Sequence, residues 1–237
     1  MGREKVFRFK QFSVLNDKSA MKVGTDGVLL GAWTDVSGAK KILDVGTGTG
    51  LIALMTAQRS NAEITAIEID HDAACEAEYN FNVSSWSNRL KVVEMDFNEF
   101  TKGCNEKYDL IVSNPPYFVN SLECPEEKRL QARHTNTLNY TQLIGGAASL
   151  LTEKGYICLI TPVEVEKLLN EIIINFGLSI CKKIYVKPVV NGVVKRIMWQ
   201  ISNKRETCVE EFLSIEKSRH EYTKEYIDLT KDFYLKM

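Results

Sequence analysis

Ile42-Leu43-Asp44-Val45-Gly46-Thr47-Gly48-Thr49-Gly50 closes an apolar, β-branched stretch and leads straight into Leu51–Arg59, where apolar residues recur at helical spacing. A strand that turns on glycines into a helix is the junction at which α/β folds bring backbone N–H groups close to a ligand. Such a turn can cradle a dinucleotide as well. Here the glycines are spaced two apart, Gly46-x-Gly48-x-Gly50, behind Asp44. The dinucleotide fingerprint has a longer gap before its third glycine, so this variant points to S-adenosyl-L-methionine.

Outward from that turn, short β-branched runs alternate with amphipathic windows, the pattern of a parallel sheet covered on both faces. Strands are expected at 41–45, 63–69, 90–95, 108–113, 156–161, 179–186 and 195–202. Helices are expected at 51–59, 72–81, 140–151 and 164–176. The last two strands are joined by a turn from Pro188 to Gly192, not a helix, which predicts an antiparallel hairpin. The expected fold is therefore α/β and Rossmann-like: a seven-stranded, mostly parallel sheet with an antiparallel C-terminal hairpin and helices on both faces. A strand over 7–14 and a short helix over 27–36 precede it. One domain is expected over 1–237, with 1–39 covering the cofactor, 40–205 as the core and 206–237 as a tail packed on it.

With 237 residues, 44% of them apolar, the chain is long enough for one substantial core. Lys and Arg number 30 against 31 Asp and Glu, so any basic footprint for nucleic acid must be local. Six cysteines are scattered without a CxxC pair or a Cys/His cluster, which reads as reduced thiols and no metal site. The first ten residues carry no apolar leader and no run approaches the length of a membrane span. A soluble, cytoplasmic protein is expected, without a membrane partner and monomeric.

Glu68 ends the second expected strand, twenty residues past Gly48, where a carboxylate can accept hydrogen bonds from both ribose hydroxyls. Ile69 follows it and can lie against an adenine face. Asp96, after the third strand, is placed to accept from the adenine amine.

The fourth strand runs into Asn114-Pro115-Pro116-Tyr117. Two prolines make a stiff, extended turn without N–H donors, so carbonyls point outward. The Asn114 side-chain carbonyl and the Pro115 backbone carbonyl can then converge on one –NH₂ group. An adenine exocyclic amine delocalises its lone pair into the ring and becomes nucleophilic only when its hydrogens are held so that the nitrogen turns tetrahedral. Catalysis on it is mostly positioning and charge stabilisation. Tyr117 offers a π-face to a flipped base, and Pro116 lies beside it.

A glycine turn of this kind combined with Asn-Pro-Pro-Tyr resembles the class I methyltransferases that act on amino groups. At a finer level Phe9-Lys10-Gln11-Phe12, the block from Lys22 to Trp33, Ala132-Arg133-His134 and the stretch from Tyr226 to Leu235 resemble the bacterial tRNA1(Val) adenine-N6-methyltransferase family. The resemblance spans nearly the whole chain and implies methylation of the adenine immediately 3′ of the anticodon, position 37, with tRNA as partner. It also makes Lys22, Thr25 and Asp26 candidate cofactor contacts beside Asp44, the three glycines and Asn114.

Arg129, Arg133 and His134, in a polar stretch after Phe118, are candidates for RNA contacts, as are Lys195 and Arg196 in a basic cluster around the terminal hairpin. The same chemistry applied to rRNA or to a protein glutamine is the alternative. A non-catalytic RNA-binding module and a nicotinamide-dependent reductase fit less well. The first would tolerate loss of Asn114 and Glu68, and the second has no use for Asn-Pro-Pro-Tyr.

Overall fold

Ile42, Leu43 and Val45 are fully buried in the strand that the glycine turn follows, and the chain builds its sheet outward from there. The structure is a computed structural model and describes residues 5–19, 21–116 and 138–237. Its elements are β1 (Val6–Arg8), β2 (Ser13–Leu15), α1 (Thr25–Trp33), β3 (Lys41–Val45), α2 (Leu51–Arg59), β4 (Glu63–Glu68), α3 (His71–Asn82), β5 (Leu90–Glu94), α4 (Phe97–Gly103) and β6 (Tyr108–Ser113). After them come α5 (Tyr140–Leu150), β7 (Leu151–Pro162), α6 (Glu166–Asn175), β8 (Ser179–Val189), β9 (Arg196–Ser202), β10 (Val209–Ser218), β11 (Glu221–Tyr222) and α7 (Lys224–Thr230).

The main sheet runs β11-β10-β8-β9-β7-β6-β3-β4-β5. Strand β3 pairs in parallel with both β4 and β6, so the chain reverses its direction of travel across the sheet there. A crevice opens at such a switch point, outside the carboxyl ends of the strands. The hairpin at the other end is as expected, with β9 antiparallel to both β7 and β8.

Two strands beyond the expected seven come from the tail. Strand β10 adds in parallel to β8 and β11 folds back on β10. Leu213 is the one buried hydrophobic side chain of β10, while Glu210, Glu211 and Phe212 are exposed, so this strand is held by backbone pairing and carries little alternation to read. The helical spacing in the tail belongs to α7, where Tyr226 and Thr230 are buried. The strand expected over 7–14 is a hairpin of two three-residue strands, and the helix expected from Gly27 begins at Thr25. Helix α4 was not expected: Asp96 caps it by accepting from Asn98 and Glu99 N–H, which starts a helix only seven residues long.

One apolar cluster joins α1, α2, Phe9, Phe12, Phe81 and the tail's Tyr226 and Phe233 on one side of the sheet. The other packs α5 and α6 against Leu43, Val45 and Trp199. Trp199 is fully buried and donates its indole N–H to Thr161 Oγ1 at 2.9 Å, as a core tryptophan must. Replacing Phe233, only 2% exposed, by Ala should destabilise the chain by about 3–5 kcal/mol in urea unfolding. If the tail belongs to one cooperative unit, the transition should stay single.

Candidate active site

Gly46, Gly48 and Gly50 have φ of 69°, 57° and 84°, all in the left-handed region. A Cβ on Gly46 or Gly48 would meet no atom within 4 Å, so both face open space, whereas one on Gly50 would strike Phe81 at 2.5 Å. The turn is tied to β4 by Gly46 and Thr47 N–H groups, both donating to the Ile67 carbonyl. Beneath it Asp44 is fully buried. Its Oδ2 accepts from Thr47 Oγ1 at 2.6 Å and from Ala53 N–H at 3.1 Å, while its Oδ1 has no partner among the described residues. Burial pushes the Asp44 carboxyl up to about 7; the two hydrogen bonds oppose that rise and the nearby Glu68 charge adds to it.

Glu68, at the end of β4, accepts from Gly48 N–H at 2.8 Å through one oxygen and from Ile69 and Asp70 N–H, each at 2.9 Å, through the other. Its carboxylate thereby locks glycine turn and strand end into one surface. Asp70 caps α3 by accepting from Ala73 N–H, and Asp96 caps α4. Both expected binding positions at these strand ends, Glu68 and Asp96, are therefore also structural.

Two chambers open over this surface. One, of about 290 Å³, is walled by Glu68, Ile69, Met95, Asp96, Phe97 and Pro115 among others. The second, of about 400 Å³, is bordered by Lys22, Thr25, Asp26, Thr47, Leu51 and Arg196. Met21, Gly46, Gly48 and Asn114 stand in the walls of both. Asn114 thus sits where they meet, its Nδ2 3.8 Å from Met21 Sδ. Just before it, Ser113 Oγ donates to the Val45 carbonyl at 2.7 Å and fastens the end of β6 to the end of β3.

Asp44 lies beneath the turn and Gly50 is turned toward Phe81, so neither borders the chambers, and the other described cofactor candidates line the cleft. Lys22 spends its ammonium hydrogens on the carbonyls of Asn16, Asp17 and Ser19, so its head group holds backbone. Asp26 and Arg196, expected to serve different ligands, pair at 2.8 Å across the second chamber's wall. The basic cluster at the hairpin is largely matched, Lys182 by Glu211 and Lys183 by Glu166, and Lys195 stays exposed beside it. Tyr117, Arg129, Arg133 and His134 lie outside the described residues, whereas Pro116 is exposed at the edge of the first chamber. Met21, Met95, Ser19 and Leu138 escaped the sequence reading. Met21 and Met95 are large apolar side chains more than 40% exposed beside Ile69, a grouping that only the fold creates.

The site fits an adenosylmethionine cofactor: side-chain-free glycines face the cleft, a buried acceptor on Asp44 lacks a partner, and apolar walls flank a carboxylate at the end of β4. The methyltransferase small domain model matches residues 19–183. The chain is 47% identical over 232 residues to the tRNA1(Val) (adenine(37)-N6)-methyltransferase of Bacteroides fragilis, covering 98% of each. Against the protein of the same name from Trichodesmium erythraeum it is also 47% identical, over 97% of this chain and 98% of that one. Among solved structures, a predicted O-methyltransferase from Agrobacterium tumefaciens superposes with a TM-score of 0.69 at 20% identity, over 88% of this chain and 96% of its own.

Fold and site define a class I methyltransferase whose methyl donor is S-adenosyl-L-methionine. The chain belongs to the methyltransferase small domain family, within the group of the tRNA1(Val) (adenine(37)-N6)-methyltransferases.

The native state holds the Asp44 proton to about pH 7, whereas an unfolded aspartate releases it near 3.8. Between those values the native state binds more protons, so stability without added cofactor should fall as pH rises through the window. Urea unfolding across it should show that slope in the wild type and a flatter one in Asp44→Asn.

Proposed function

We propose that this enzyme transfers the methyl group of S-adenosyl-L-methionine to N6 of adenine 37 in tRNA1(Val), as its relatives' names describe. The observation that carries the reading is the position of Asn114 at the junction of the two chambers, with Pro115 in the wall of the first, at the end of the strand beside the glycine turn.

Bound there, the cofactor supplies an electrophilic methyl on a sulfonium. In this reading Glu68 accepts from the ribose hydroxyls, Ile69 lies on the adenine and Asp96 accepts from its amine. Gly46 and Gly48, which carry no side chain, would border the middle of the ligand on a turn that Gly50 shapes, and Thr25 and Asp26 would face its amino-acid end. Asn114 and Pro115 carbonyls accept the two hydrogens of the substrate amine and hold its lone pair toward the methyl group. Acceptors fixed before reaction need no reorganisation as positive charge develops on nitrogen. No strong base is needed before transfer, since the proton becomes acidic only once the nitrogen is alkylated. On sequence grounds Tyr117 stacks on the flipped base beside Pro116. Arg129, Arg133, His134 and Lys195 are assigned to RNA, and Arg196 orients Asp26. We place the enzyme in the cytoplasm as a monomer. Among the described residues no helix is long and apolar enough to cross a membrane.

Incubation with labelled S-adenosylmethionine and bulk bacterial tRNA, followed by nucleoside analysis, should yield N6-methyladenosine. Asn114→Ala should lower kcat by roughly 10²–10³-fold, the loss typical of one preorganised polar group at the reacting centre. Label in rRNA or in a protein glutamine, with tRNA untouched, would overturn the substrate and keep the chemistry.

A further inference from the structure

The outer wall of both chambers is a strap made by segments 15–19 and 21–24, which bring Ser19 and Met21 to the first chamber and Met21 to Gly24 to the second. Little apolar surface anchors its middle, because Asp17, Lys18, Met21 and Lys22 are exposed. Polar groups of α3 hold it instead. Glu76, only 4% exposed, accepts from three successive N–H groups: Asp17 and Lys18 at 2.7 Å through one oxygen and Ser19 at 3.0 Å through the other. One turn further along α3, Asn80 is 1% exposed and accepts from Leu15 N–H at 2.7 Å. Its amide nitrogen donates to the carbonyls of Leu15 at 3.0 Å and of Thr49 at 2.9 Å, the latter inside the glycine turn. From the opposite side the Lys22 ammonium gathers the carbonyls of Asn16, Asp17 and Ser19.

Neither Glu76 nor Asn80 borders the chambers, yet both are buried polar side chains whose hydrogen-bonding capacity goes into the strap and the turn. A buried carboxylate is costly unless it is hydrogen-bonded, so Glu76 and the three N–H groups hold one another in place. The strap then sets Met21 against Asn114. We propose that Glu76, with Asn80, is a positioning residue for cofactor capture: it clamps the strap onto α3 through residues 15–19, so that cover and glycine turn form one rigid mouth. The inference depends on the cofactor assignment and is independent of which RNA is methylated.

Glu76→Gln keeps shape and volume but opposes an amide NH₂ to the Ser19 N–H. Isothermal titration with S-adenosylmethionine should find affinity weakened roughly tenfold, the scale of one charge-assisted hydrogen bond. Amide hydrogen exchange at Asp17, Lys18 and Ser19 should accelerate while exchange in β3 and β6 stays unchanged. In turnover with tRNA, KM for the cofactor should rise while kcat at saturating cofactor stays within about twofold. Lys22→Met, an exposed change that spares the core, should loosen the same amides. Wild-type affinity in Glu76→Gln, or unaltered exchange at 17–19, would overturn the clamp alone. A wild-type chain that binds no S-adenosylmethionine would overturn the cofactor assignment and the clamp together.

Discussion

Asp44 carries a carboxyl group into the interior of the sheet, with one oxygen engaged by Thr47 and Ala53 and the other without a partner among the described residues. The glycine turn above it hangs on that arrangement. Thr47 is drawn down, the first turn of α2 is drawn in, and Gly46, Gly48 and Gly50 are left to make the bend in conformations that side-chain-bearing residues resist. Glu68 fixes the same turn from the side through Gly48 N–H. Two acidic side chains, one beneath and one beside, thus shape a surface of backbone groups before any ligand arrives.

The switch point of the sheet turns that surface into a reaction site. Because β3 has β4 on one side and β6 on the other, the glycine turn, Glu68 and Asn114 emerge from three adjacent strands at the same edge. The chambers part on either side of Asn114, so a ligand spanning both must pass the residue proposed to hold the substrate amine. The carboxylates of Glu68, Asp70 and Asp96 border the first chamber, whereas in the second Asp26 is paired with Arg196, so the acidic polarity of the cleft lies on the side of Glu68. The overall charge of −1 says nothing of this local polarity.

Residue spacing was legible where backbone conformation or strand periodicity left its mark. The three glycines announced left-handed turns, the β-branched runs announced strands β3 to β9, and the Pro188–Gly192 turn announced the hairpin. Asn114-Pro115 could be placed at a strand end because prolines stop a strand. What remained hidden depends on contacts distant in sequence. Strand β10 is held by pairing to β8 and β11, and its exposed glutamates give no alternation. Helix α4 is too short to show a period and rests on its Asp96 cap. Lys22 and Arg196 looked like ligand groups, but their partners, three carbonyls and Asp26, come together only in the fold. Glu76 and Asn80 sit in an amphipathic helix, where nothing local distinguishes them from solvated residues.

The proposed binding mode divides the cofactor across the cleft, nucleoside in the chamber of Glu68 and Ile69, amino-acid end in the chamber of Thr25 and Asp26, with Asn114 between. A crystal structure with bound S-adenosylhomocysteine measures that. The ribose hydroxyls are expected on the Glu68 carboxylate and the sulfur beside Asn114. A nucleoside lodged against Thr25 and Asp26, or a sulfur remote from Asn114, would contradict it.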